Sequence, residues 1–200
     1  MTESAWKEIK TKMWARIKEI EKSIPGYDYS EKHHIMATDE KMTALIHDEL
    51  RKSKKLLFNI LEDSYEQQKE GLTNDLQKIR DDLDIFLDGV KIKNVKWPEA
   101  IPEEFLEKIV IHDSEIIREI PKMNSELEEI ERQILSMEKP GTSLFDRELL
   151  DKLNAKTLDI KNHVNELVRL FKERELLLNL KHVHREHEYD ELRGGMETKI

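Results

Sequence analysis

The stretch from Met42 to Val90 constrains the fold most, because it contains no proline and its apolar residues return every three or four positions. This period is typical of one long amphipathic α-helix. Charged residues fill most of the positions between the apolar ones, so the apolar stripe is narrow and must be covered by another helix. A continuous helix of this length would extend about 75 Å at 1.5 Å per residue.

Composition predicts an all-α protein. Charged and hydrophobic residues each make up 38% of the 200 residues, which is typical of helices with wide solvated faces. No run of alternating β-branched residues predicts a strand. Cysteine is absent, which excludes disulfides and cysteine-based catalysis or metal binding. Apolar runs are too short to span a bilayer and the first residues lack a signal-peptide pattern, so we expect a cytoplasmic, soluble protein.

The charge balance argues against nucleic acid as a partner. The formal net charge is −9, whereas binding to phosphates depends on clustered Lys and Arg. Acidic residues concentrate between Glu103 and Glu138, where eleven acids face four bases, a formal charge of −7. A basic surface on a protein partner would suit this segment. The same acidity argues against a membrane surface as partner.

Proline and glycine divide the chain into predicted units. Residues 1–24 form a short amphipathic helix that ends at Pro25-Gly26, and residues 38–190 form a helical bundle. Thr38 or Asp39 caps the long second helix, in which Gly71 predicts a bend. Residues 191–200 are expected to form a flexible tail.

Two further helical regions complete the predicted bundle. A return helix pair, kinked at Pro121, follows Pro102, and a last long helix starts at Thr142 or Ser143 and extends to about residue 190. The predicted fold is therefore an elongated bundle or antiparallel coiled coil of two very long helices and the Pro-kinked return pair, running up, down and up. The same apolar seams would also fit a coiled coil between two copies of the chain.

Histidines near the C-terminus form the sequence pattern that most resembles a metal-ligand set. On a continued helix, His182 with Glu186 and His187 with Glu191 would be i, i+4 pairs, and His184 with His187 an i, i+3 pair, so each pair could bind one divalent ion. The competing interpretation is a solvated helix end. Glu31, His33 and His34 contain a single E-x-x-H motif in a predicted connector, whereas a di-iron bundle needs two such motifs on long helices. No other cofactor is predicted.

Tryptophans are the predicted partner contacts. Trp6 belongs to the apolar stripe of the first helix, Trp14 flanks that stripe, and Trp97 lies in a proline-bracketed connector. The first helix either packs on the bundle or docks on a partner. Trp97 either plugs the end of the bundle or offers an exposed contact, and the plug is the favoured interpretation.

These features together predict a non-catalytic scaffold or assembly subunit that binds protein partners through helix faces. The sequence lacks the glycine-rich phosphate loops and nucleophile elbows that are typical of many enzymes, and its isolated histidines predict no catalytic role. One alternative is a helical-bundle metalloprotein that uses the histidine-rich C-terminal segment. Another is a peripheral membrane protein that uses the first helix.

Overall fold

The computed structural model describes residues 2–66, 70–90, 95–136, 144–178 and 181–182. Six helices pack as a bundle, and an isolated two-residue strand pair joins two connectors. The elements, in chain order, are α1 (Thr2–Lys12), α2 (Trp14–Ser23), α3 (Lys32–Glu66), α4 (Glu70–Val90), β1 (Val95–Lys96), α5 (Glu103–Leu135), α6 (Leu144–Leu177) and β2 (Lys181–His182). The predicted all-α class is confirmed.

The first predicted helix is two helices that meet at Met13. The predicted apolar stripe nevertheless runs through both of them, and its members are all buried, namely Trp6, Ile9, Met13, Ile17, Ile20 and Ile24. Both helices pack along α5, where Lys12 pairs with Glu107 and Arg118 pairs with Glu19. The N-terminal segment is thus part of the bundle in this structure.

The single long helix predicted for residues 42–90 is wrong. The region forms two helices, α3 of 35 residues and α4 of 21 residues, which pack antiparallel against each other. Ser64 and Thr73 hydrogen-bond across this hairpin at 3.0 Å, and Lys54 pairs with Asp84 farther from the turn. Helical periodicity records which face of a helix is apolar but carries no information on a reversal of the chain.

The four long helices form a ring in the order α3, α5, α6, α4. Helices α3 and α5 run in one direction, and α4 and α6 run in the opposite direction. Helix α5 lies beside α3 in the same direction, as Ser53 to Asn124 and Asn59 to Glu131 hydrogen bonds show. Helix α6 packs antiparallel to α5 and completes the ring against α4. The predicted three-stranded, up-down-up arrangement is therefore replaced by four main helices, with α1 and α2 on the outside of α5.

Pro121 lies inside α5, which is assigned as one helix of 33 residues rather than as a pair. The start of α3 at Lys32 also differs from the predicted cap at Thr38 or Asp39. Both of those side chains are buried and bind other segments of the chain. Tertiary contacts have overridden the local signals of a proline and of two typical capping residues.

The last helix ends at Leu177 instead of near residue 190. Lys181 and His182 pair in antiparallel register with Lys96 and Val95, a pairing that the sequence did not predict. This strand pair links the segment after α6 to the connector between α4 and α5. The predicted tail, residues 191–200, lies outside the described residues.

Candidate functional site

A buried ionic network is centred on Arg174 of α6. Its guanidinium donates to Asp39 of α3 at 2.5 Å, to Asp113 of α5, and to the phenolic oxygen of Tyr29 at 3.0 Å. The Arg174 and Asp113 side chains are fully buried, and that of Asp39 is nearly so. A single cation therefore bridges three segments that are far apart in sequence.

Three aromatic side chains complete this network. Tyr27 and Tyr29, from the loop before α3, both donate to Asp113 Oδ2, at 2.6 and 2.8 Å. Trp97 Nε1 donates to the remaining oxygen of Asp39 at 3.0 Å. The two phenol rings meet edge to face and contact the ring of Trp6. The polar atoms of the two tyrosines and of Trp97 thus each have a partner, as a buried polar network requires, whereas Trp6 Nε1 has none among the described residues.

The network is built for structure rather than for proton transfer. Burial alone would lower the pKa of Arg174, but the charges of Asp113 and Asp39 outweigh it and raise that pKa well above its ordinary value. Burial, together with the Asp113 charge, raises the pKa of Tyr27 and Tyr29 well above the usual range. The guanidinium therefore stays charged and the phenols stay protonated at any physiological pH. Ions paired in this way specify which segments meet.

The structure places the three tryptophans in different environments. Trp6 is 2% exposed, so a partner could reach it only if α1 left the bundle. Trp14 is 63% exposed and remains accessible on α2. Trp97 is half-buried against the core, which agrees with a plug, and its indole nitrogen binds Asp39. Contact with a partner remains a prediction for all three residues.

The histidine-rich segment does not continue α6 as the metal interpretation assumed. His182 belongs to strand β2 and not to a helix. The predicted i, i+4 pairing of His182 with Glu186 on one helix face therefore does not apply. His184 and His187 lie outside the described residues. Their metal-binding role stays a sequence-based prediction.

His163 of α6 lies between two glutamates of α5. Its Nδ1 contacts Glu119 and its Nε2 contacts Glu126 at 3.2 Å. Burial alone would lower the pKa of His163, but the hydrogen bonds and charges of the two carboxylates outweigh this effect and raise it above its ordinary value. Protonated His163 thus joins α5 to α6.

This contact predicts a pH-dependent stability. Because the pKa of His163 is higher in the folded chain than the unfolded value of 6.5, its stabilisation is complete below that pH and is lost as pH rises through the folded pKa. We expect the free energy of unfolding to fall from pH 6 to pH 8 in the wild-type chain and to change less in His163→Gln. Urea titrations at both pH values measure this difference. The Glu119→Gln, Glu126→Gln double variant should behave like His163→Gln, and an unchanged pH dependence in it would contradict the assignment.

An apolar groove opens between α4 and α6. It has a volume of about 330 Å³, and its apolar lining consists of Ile85, Phe86, Val164, Val168 and Phe171. The Phe86 and Phe171 rings meet edge to face at a centroid distance of 5.7 Å. Asp82, Lys172 and Glu175 stand among the lining residues. An apolar floor with charged side chains around it is typical of a surface that binds an amphipathic helix.

The predicted acidic surface of α5 is partly neutralised within the chain. Lys12 pairs with Glu107, His163 contacts Glu119 and Glu126, and Arg132 pairs with Glu129. Helix α4, in contrast, carries six acids and two bases, a formal charge of −4. Of these acids only Asp82 lines the groove, where Glu175 and Lys172 of α6 are the other charged residues.

No helix of the described part of the chain is long and apolar enough to cross a membrane. Comparison of the chain with models of protein families, with curated proteins and with solved structures finds no match.

Proposed function

We propose that this chain is a non-catalytic helical scaffold or assembly subunit that binds a protein partner in the groove between α4 and α6. The groove itself is the observation that supports this function. Five of its lining side chains are apolar and Ile85 is 57% exposed, so a ligand that covers Ile85 would remove apolar surface from water.

The partner that fits this groove is a basic amphipathic helix. Such a helix would lie along the groove between α4 and α6. Its apolar residues at i, i+3 or i+4 and i+7 would then contact the apolar lining. Lys or Arg on its flanks would meet Asp82 and Glu175, the two acids of the lining, which outnumber the single base Lys172. A second copy of this chain is a poorer occupant on charge, because its formal net charge is −9.

A direct test uses two synthetic helical peptides with the same leucine pattern, one with lysine and one with glutamate at the polar positions. Fluorescence anisotropy with labelled peptides measures each dissociation constant. We expect the lysine peptide to bind at least about tenfold more tightly than the glutamate peptide, which corresponds to about 1.4 kcal/mol. Equal affinities would contradict the proposed partner chemistry.

Two variants with the same charge change locate the binding surface. Ile85→Lys places a cation in the groove, whereas Leu158→Lys places one on α6 at another exposed apolar residue, 59% accessible and outside the groove lining. We expect Ile85→Lys to weaken binding of the lysine peptide about tenfold or more and Leu158→Lys to leave it within about twofold. Equal losses in both variants would show that binding follows net charge and not the groove. Sedimentation of the chain without peptide tests the other occupant, because a stable dimer broken by Ile85→Lys would assign the groove to a second copy.

A further inference from the structure

Three ligand-type side chains converge at the beginning of α3. Glu31, His33 and His34 each offer one nitrogen or oxygen atom, and these atoms all lie within 4.8 Å of one another. Glu31 Oε2 is 3.3 Å from His33 Nδ1, and the two imidazole rings are 3.9 Å apart between centroids.

The framework around these side chains is fixed. The Ile35 N–H donates to the Glu31 carbonyl at 2.8 Å, which ties Glu31 to α3. The preceding loop is held by the buried Tyr27 and Tyr29 and by two hydrogen bonds that Asp28 forms with Thr38. The backbone that carries Glu31, His33 and His34 is therefore already ordered before an ion binds. This lowers the entropic cost of binding.

Neighbouring polar groups support the imidazoles. Ser30 Oγ lies 2.9 Å from Nδ1 of His34, and Asp28 Oδ2 lies 3.7 Å from the same nitrogen. Hydroxyl and carboxylate neighbours of this kind orient metal-binding histidines in proteins. Lys32, the one cationic residue between the ligands in sequence, pairs with Glu99 instead of lying unpaired beside them.

From this arrangement we infer that Glu31, His33 and His34 bind one zinc ion. Two imidazole nitrogens and one carboxylate oxygen are ligands that Zn²⁺ accepts, and three protein ligands leave a fourth position open. All three side chains are at least partly exposed, so the ion has access from solvent. The sequence interpretation required a second E-x-x-H motif for a di-iron centre, whereas one zinc ion needs only this cluster. The site is separate from the α4–α6 groove and does not depend on the proposed function.

Isothermal titration of the full chain with zinc chloride at pH 7.5 tests the inference. We expect one zinc ion per chain to bind at the cluster and this binding event to disappear in His33→Ala, His34→Ala. Glu31→Gln should weaken the same event about tenfold or more, because a charged oxygen ligand becomes a neutral amide.

Two controls separate this site from other histidines. His47→Ala removes a histidine of α3 that lies outside the cluster and pairs with Asp48. This variant should bind zinc as the wild-type chain does. A variant with His182, His184 and His187 all replaced by alanine should also retain it. Retention of the event in His33→Ala, His34→Ala, its loss only in the C-terminal triple variant, or absence of zinc binding in the wild-type chain would each overturn the inference. Circular dichroism confirms that every variant is folded.

Discussion

Replacing Arg174 with alanine is expected to lower the free energy of unfolding by about 3–5 kcal/mol, as loss of one partner from a buried ion pair does. The variant leaves the Asp39 and Asp113 carboxylates buried without their shared cation. Tyr29 also loses the donor that binds its oxygen. Urea denaturation at pH 7, followed by circular dichroism, measures the effect.

Arg169→Ala is the matched control for this variant. Arg169 is also on α6 and contacts both Glu166 and Glu173, but its side chain is 49% exposed. An exposed ion pair contributes little because water screens it, so we expect a loss below about 1 kcal/mol. Equal losses in the two variants would mean that burial of the Arg174 network does not determine its contribution.

A double-mutant cycle tests whether the network acts as a unit. Asp113→Ala alone should also destabilise the chain, and adding it to Arg174→Ala should cost much less than it does in the wild-type chain. We expect a coupling free energy of at least about 1 kcal/mol, because the two side chains are in direct contact. Additive losses would contradict a direct interaction.

Replacing Leu76 with aspartate is expected to cost about 4 kcal/mol, because an unpaired carboxylate would occupy a fully buried position of α4. Asp81→Ser on the same helix is the control, since the Asp81 side chain is 59% exposed and pairs only with surface groups. We expect it to cost less than about 0.5 kcal/mol. Thermal unfolding measures the melting temperature of each variant. Similar melting temperatures for Leu76→Asp and Asp81→Ser would disprove the assigned buried face of α4.

The apolar faces of the helices could be predicted from the sequence because they depend on a local repeat. The stripe from Leu72 to Val90 is buried as its spacing predicted, and so is the stripe of α1 and α2. The reversal between α3 and α4 could not be predicted, because both helices keep the same period on either side of it. Gly71 predicts a bend within one helix, whereas the structure places it in the first turn of α4, after the reversal.

The buried network was only partly accessible to sequence reasoning. Arg174 occupies the position that follows Phe171 in the apolar seam of α6, and a cation in a seam is a signal that a buried anion lies opposite. Asp39 was interpreted as a helix cap, and Asp113 as one acid among many in α5. Their convergence depends on long-range packing, which no local pattern records. The sequence indicates Glu31, His33 and His34 as one E-x-x-H motif, whereas the approach of their ligand atoms to within 4.8 Å depends on the fold at the start of α3.

The position of Arg174 late in the chain has a consequence for synthesis on the ribosome. Asp39 and Arg174 are 135 positions apart, so the carboxylates of α3 and α5 emerge long before their counterion. A nascent chain that stops before α6 would have to keep these acids hydrated, which prevents α3 and α5 from closing on each other there. Final consolidation of this end of the bundle therefore waits for α6.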